Sequence, residues 1–129
     1  MKTDNEESWS KPSLIFVYNA DSGLLNAFRD LVHKNVKPST YRCNLCALTF
    51  DNMGMKDEWK DFIENLDADI EFLHRDEFFD RFNTENVDLP AAFIREESGL
   101  EIFMNSKEMD DFDSLNELKK SVKEKLKRL

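Results

Sequence analysis

The sequence predicts one α/β domain over residues 13–129, built on a mixed β-sheet with helices on both faces. Residues 14–18 form a continuous apolar run, typical of a strand buried on both sides, and helical segments separate it from a second strand at 69–74. Strands that are separated by helices run parallel through right-handed crossovers. A proline-led hairpin over 90–105 then adds antiparallel strands, so the predicted sheet is mixed. Residues 1–12 are polar and acidic, and we expect them to be disordered or loosely packed.

The first half of the predicted domain continues with helices. Residues 19–23 break the apolar run, and Asp21 or Ser22 can cap the helix that follows. That helix is predicted from apolar side chains at helical spacing, which are Leu24, Leu25, Phe28, Leu31 and Val32. A helical insert over 41–48 comes next, and a short strand through 47–50 is the competing interpretation.

The second half alternates between helices and strands. An amphipathic helix is predicted from one apolar face, made of Met55, Trp59, Phe62, Ile63 and Leu66. After the strand at 69–74, Asp76 is predicted to cap a short helix rich in phenylalanine. Residues 91–95 and 100–105 then read as two strands of a hairpin whose turn contains a glycine.

This order of elements resembles the thioredoxin-like superfamily over residues 13–129. The predicted strand at 69–74, the short helix after it and the proline that opens the next strand are similar to the segment that precedes the cis-proline in that family. The resemblance implies that Pro90 is cis and lies against the loop after the first strand. It further implies a binding cleft that contains Asp21, Ser22 and Pro90, at the edge of the sheet where open α/β folds place their ligands. For Asp21 and Ser22 the alternative is a plain helix cap.

The CxxC pair departs from the pattern of that family. The family places CxxC immediately after the first strand, where this chain reads ADSG, and the two cysteines, Cys43 and Cys46, follow about twenty residues later. If Ser39 or Thr40 caps a helix, Cys43 lies in its first turn, where the helix dipole and Arg42 favour the thiolate. Cys46 would then be the resolving thiol. The alternative is that both cysteines are small buried core residues.

Two histidines widen the range of chemistry to consider. Cys43, Cys46, His33 and His74 together could form a Cys₂His₂ zinc site, although their spacing is not that of a zinc finger. The triplet that begins at His74 spells the HRD of protein kinases, but the chain is too short for a kinase and lacks its glycine-rich loop. We therefore expect the triplet to end a strand and start a helix.

Three stretches, YNADSG, STYRCNLCALTF and EFLHRDEF, also resemble a small group of uncharacterised bacterial proteins, some of which are labelled GTPases. The sequence has no GxxxxGK[ST] loop to hold phosphates, and its 3 glycines do not form a glycine-rich segment. No nucleotide-binding cradle and no cofactor are therefore predicted.

The charge distribution restricts the partners. The net charge is −9, which disfavours nucleic acid and anionic lipid. Residues 119–128 carry six basic side chains and one glutamate, but they lie in a predicted terminal helix whose dipole they complement. That helix follows a capping-box pattern at Ser114 and Glu117. No apolar segment is long enough to span a membrane and no secretory signal is visible, so we expect a cytoplasmic protein.

These patterns leave three hypotheses. The first is a thiol–disulfide redox protein in which Cys43 attacks a protein partner and Cys46 resolves the mixed disulfide. The second is a non-catalytic binding module on a thioredoxin-like fold, and the third is a small metal-binding protein. The sequence does not decide whether the chain is an enzyme, and it is silent on the oligomeric state.

Overall fold

A computed structural model of the chain describes residues 11–20, 43–51, 53–82 and 87–129. Within these ranges the elements are β1 (Ser13–Val17), α1 (Asn44–Thr49), β2 (Phe50–Asp51), β3 (Gly54–Met55), α2 (Asp57–Glu64), β4 (Asp69–Leu73), α3 (Arg75–Phe82), β5 (Ala91–Glu96), β6 (Gly99–Met104), α4 (Ser106–Asp111) and α5 (Leu115–Lys127). The α/β prediction is thereby confirmed. The segment 1–10 and the predicted helix over 24–32 lie outside the described residues.

The main sheet has four strands in the order β4-β1-β5-β6. Strand β1 runs parallel to β4 and antiparallel to β5, and β5 pairs antiparallel with β6. The mixed sheet that the sequence predicts is therefore present. The Leu89–Pro90 bond before β5 is cis, as expected. Val17 is paired with Ala91 in the antiparallel β1–β5 ladder. Pro90, the residue before Ala91, therefore lies at the level of Tyr18, near the C-terminal end of β1.

The side chains of β1 alternate between the two faces of the sheet, as the pleat requires. Leu14, Phe16 and Tyr18 enter a large cluster with side chains from α1, α2, α4 and α5. Ile15 and Val17 enter a smaller cluster on the opposite face, where α3 supplies three phenylalanine side chains. The uninterrupted apolar run of β1 is explained by this burial on both faces.

Several predicted boundaries are wrong in detail. Both interpretations of 41–50 are partly right, because helix α1 passes directly into the two-residue strand β2. Helix α3 begins at Arg75, so Asp76 lies in its first turn and does not precede it as a cap. Ser114 caps α5 by accepting a hydrogen bond from the Glu117 N–H, but the Glu117 carboxylate accepts from the Asp113 N–H instead of closing a capping box.

Helix α4 is absent from the sequence-based prediction. It begins at a capping box in which the Asn105 side chain accepts from the Glu108 N–H at 2.9 Å and the Glu108 carboxylate accepts from the Asn105 N–H at 3.0 Å. The Asn105–Glu108 spacing was available in the sequence. The strand predicted over 100–105 includes Asn105, so this residue is not recognised as the N-cap of a helix.

Candidate functional site

The candidate site lies where the C-terminal ends of β1 and β4 meet the start of β5. Beyond β1 the chain continues in register with β4, because the Tyr18 N–H donates to the Leu73 carbonyl at 2.9 Å. The Arg75 N–H then donates to the Ala20 carbonyl, also at 2.9 Å. These bonds hold residues 18–20 at the edge of the sheet that lies next to the cysteines.

Cys43 and Cys46 form a disulfide across the start of α1, with 5.2 Å between their Cα atoms. Cys43 is the N-cap residue of α1, so it precedes the first turn in which the sequence had placed it. Its Sγ accepts hydrogen bonds from two backbone groups, the Cys46 N–H at 3.2 Å and the Asn19 N–H at 3.4 Å. The second bond connects the disulfide directly to the C-terminal end of β1.

The disulfide is buried. Cys43 is 5% exposed and Cys46 is 1% exposed, and both belong to the larger core cluster. The alternative interpretation, in which the two cysteines are core residues, is therefore correct for their position. Their hydrogen bonds and their bond to each other set them apart from ordinary apolar side chains.

Asn44, the residue between the cap and the rest of α1, attaches the CxxC segment to α4. Its side-chain amide donates to the Met109 carbonyl at 2.7 Å and to the Phe112 carbonyl at 2.9 Å. Both acceptors are at the C-terminal end of α4, where helix carbonyls lack partners within the helix. The N-terminal end of α1 is therefore fixed on one side by β1 and on the other by α4.

Tyr18 forms the aromatic side of the site. Its ring is stacked on Phe72 with 5.9 Å between centroids, meets Phe50 edge-on at 5.5 Å, and lies 5.8 Å from the His74 ring. Burial raises the pKa of the Tyr18 phenol well above its ordinary value, and the Thr49 side chain offsets a small part of the effect. Tyr18 is therefore a neutral phenol at every physiological pH and packs as an aromatic core residue.

His74 serves the junction between β4 and α3. Its backbone N–H and its ring Nδ1 both approach Glu77 Oε1 at 2.8 Å. The hydrogen bond from the His74 backbone, followed by that from its ring, holds the pKa of the Glu77 carboxyl below its ordinary value. The HRD triplet thus ends a strand and starts a helix, as expected.

A cleft of about 430 Å³ opens at the same edge of the sheet. It is lined by Asn19, Arg75, Phe79, Val87, Asp88, Leu89, Ser106 and Asp110. The Arg75 guanidinium donates to the Asn19 side-chain oxygen at 3.4 Å. Among the predicted cleft residues, Pro90 directly follows the lining residue Leu89, whereas Asp21 and Ser22 lie outside the described residues. Asn19 therefore has the disulfide at its backbone and the cleft at its side chain.

The zinc hypothesis receives no supporting cluster. Over the described ranges, no group of three or more histidine, cysteine, aspartate or glutamate side chains is arranged to hold a metal ion. Cys43 and Cys46 are bonded to each other, and the Nδ1 of His74 is engaged with Glu77. His33 lies outside the described residues.

Sequence reasoning missed Asn19, Asn44 and Arg75 as parts of this site. Asn44 stood inside the CxxC motif, and a polar amide between two cysteines was an available signal. Asn19 and Arg75 had no such signal, because their roles depend on a contact between residues 56 positions apart.

Comparison of the chain with protein-family models, with curated proteins and with solved structures finds no match. Among the described helices, none is long and apolar enough to cross a membrane.

Proposed function

We propose that the protein is a thioredoxin-like thiol–disulfide protein that gains and loses two electrons at Cys43 and Cys46. One observation carries the proposal: the disulfide closes the start of α1 while Cys43 Sγ accepts a hydrogen bond from the end of β1. The parallel β1–β4 pair and the antiparallel β5–β6 hairpin support the thioredoxin-like part of the proposal. The edge of an α/β sheet at the carboxyl ends of its parallel strands is also where such folds place their chemistry.

Cys43 is the attacking thiol in this proposal. Its sulfur accepts hydrogen bonds from the backbone N–H groups of Asn19 and Cys46. These two donors would stabilise a negative charge on that sulfur after reduction. Cys43 is also the more exposed of the two cysteines, at 5% against 1% for Cys46. Cys46 is the resolving thiol, since it is one helical turn away and already within bonding distance.

The exchange conserves atoms and electrons. The Cys43 thiolate attacks one sulfur of a partner protein disulfide, the partner S–S bond breaks, and one partner thiolate leaves and takes up a proton. Cys46 then loses its proton and attacks Cys43 Sγ, which breaks the mixed disulfide and releases the second partner thiolate. The partner disulfide gains two electrons and the Cys43–Cys46 dithiol loses two, and the reverse sequence oxidises a partner dithiol.

Paired serine variants test the assignment. After reduction, Cys46→Ser should form a stable mixed disulfide with insulin through Cys43, whereas Cys43→Ser should form none. The alkylation rate of Cys43 in reduced protein, followed against pH, should give a pKa below the ordinary thiol value of about 8.5. A Cys43 pKa at or above about 8.5, or equal trapping by the two variants, would contradict the proposal.

A non-catalytic binding module on the same fold is the second candidate, and the burial of both sulfurs favours it. The disulfide would then be a structural clip between β1, α1 and α4. In that case the reduced protein would not accelerate insulin reduction by dithiothreitol, and the double variant Cys43→Ala/Cys46→Ala would still bind the same protein partners. A rate of insulin reduction that rises with the concentration of the protein and falls in Cys43→Ser would exclude this candidate.

A further inference from the structure

A second cavity lies on the face of the sheet opposite the disulfide. Its volume is about 560 Å³, within the range of roughly 300–1,000 Å³ that small-molecule sites occupy. Its lining is mostly apolar and consists of Phe78, Phe82, Val87, Phe93, Arg95, Glu96, Gly99, Leu100 and Ile102. Helix α3 forms one wall, and strands β5 and β6 form the floor.

The floor and the wall present aromatic and aliphatic surface. The Phe78 ring is stacked on Phe93 at 5.0 Å between centroids, and Phe82 lies 5.3 Å from Phe78. Leu100 packs against this cluster, and Ile102 is 60% exposed on the edge strand. An exposed isoleucine beside an aromatic floor leaves apolar surface that a hydrocarbon or aryl group would cover.

Arg95 is the cationic residue that lines this cavity, and a second cation, Arg81, lies 5.4 Å over the centroid of the Phe82 ring. Arg95 is paired with Leu100 across the β5–β6 ladder, so the two side chains share the face of the sheet that bears the cavity. Glu96 also contributes to the lining, but as the next residue along β5 its Cβ points to the other face of the sheet. Within the described ranges, the Arg95 guanidinium makes no hydrogen bond or ion pair, whereas Arg81, on the wall-forming helix, is bound to Glu71.

We infer that this cavity binds an amphipathic carboxylate, with its hydrocarbon or aryl part against Phe78 and Phe93 and its carboxylate on Arg95. Guanidinium groups bind carboxylates in a bidentate manner, which explains why an arginine at the rim selects this head group. The inference is independent of the redox proposal, because the cavity and the disulfide lie on opposite faces of the sheet. Decanoate is a suitable probe, since its chain fits the cavity and its head group matches the arginine.

Calorimetric titration with three probes of equal chain length tests the inference. Decanoate should bind saturably with a stoichiometry of one, decanol should bind more weakly, and decylamine should bind least because its ammonium group meets Arg95. Arg95→Gln should weaken decanoate binding about fivefold, the upper range for an exposed ion pair, and leave decanol binding within twofold. Arg128→Gln removes another exposed arginine, the C-cap residue of α5, and should change nothing.

Two further measurements locate the site. Decanoate should shift the methyl resonances of Leu100 and Ile102 and leave those of Val122, in the other cluster, unchanged. Equal affinity for decanoate and decylamine, an unchanged affinity in Arg95→Gln, or non-saturable binding would overturn the inference. A dimer in sedimentation that Ile102→Lys disrupts and decanoate does not would also overturn it, because the cavity would then be occupied by a second copy of the chain.

Discussion

Replacing Asn44 measures how firmly the CxxC segment is attached to the rest of the fold. The Asn44 amide donates two hydrogen bonds, to the Met109 and Phe112 carbonyls, and both are partly buried. A typical hydrogen bond in a folded protein contributes about 1 kcal/mol net. Asn44→Ala should therefore lower the free energy of unfolding by about 2 kcal/mol.

An aspartate at the same position separates hydrogen bonding from shape. Asn44→Asp keeps the size of the side chain but points carboxylate oxygens at two carbonyls, so both bonds are lost and repulsion is added. An acidic residue in the first turn of a helix would otherwise be favourable by roughly 0.3–1 kcal/mol. A variant with aspartate that is less stable than the variant with alanine would thus assign the effect to the two carbonyls.

Urea denaturation of the oxidised protein, followed by circular dichroism, is the assay. Asn65→Ala is the matched control, because its amide donates one exposed bond to the Asp61 carbonyl at 2.8 Å. The control should lose less than about 0.5 kcal/mol, as expected for an exposed group. A loss of unfolding free energy below about 0.5 kcal/mol for Asn44→Ala would refute the reasoning. Equal losses for Asn44→Ala and the control Asn65→Ala would also refute it.

Three other perturbations have definite expected results. Gly99 has a φ of +138° with open space around its missing Cβ, so Gly99→Ala should lose about 1–3 kcal/mol in urea denaturation through backbone strain alone, while Ser98→Ala should be neutral. The pKa of the Glu77 carboxyl is lowered in the folded state by its hydrogen bonds to His74. The ionised carboxylate therefore stabilises the fold above its unfolded pKa, and this stabilisation is lost as the pH falls through the folded pKa. Glu77→Gln should flatten the acid limb of the curve of stability against pH. Reduction of the disulfide, whose cysteines are 3 positions apart, should lower the free energy of unfolding by about 2 kcal/mol, since so short a loop constrains the unfolded chain only modestly.

Local patterns determine much of this fold. The apolar runs of β1 and β5 and the helical spacing of α5 each describe surface that must be buried, and each element was predicted within a few residues of its observed bounds. The mixed character of the sheet followed from the connections, because helices separate β1 from β4 and a tight turn joins β5 to β6.

The site was predictable only where its chemistry resides in neighbouring residues. The Cys43–Cys46 pair is visible as a motif, and it is bonded as its spacing allows. The partners of the pair are not visible, because Asn19 is 24 positions from Cys43 and Met109 is 65 positions from Asn44. Such contacts depend on how α1 and α4 pack over the sheet, and no local propensity encodes that geometry.

The buried disulfide and the proposed exchange are compatible only if the start of α1 opens. A partner sulfur cannot reach Cys43 while that residue is 5% exposed, so attack must follow a local opening that breaks the contacts of Asn19 and Asn44. Removing the Asn44 bonds should lower the free energy of that opening by the same 2 kcal/mol or so and accelerate reduction by dithiothreitol about thirtyfold. The rate is measured by quenched alkylation at protein stabilities matched with urea, and Asn65→Ala should leave it unchanged. An unchanged rate of reduction in Asn44→Ala would mean that the disulfide is attacked without opening of α1. The hydrogen bonds from Asn44 to the Met109 and Phe112 carbonyls would then stabilise the fold without controlling access to the disulfide.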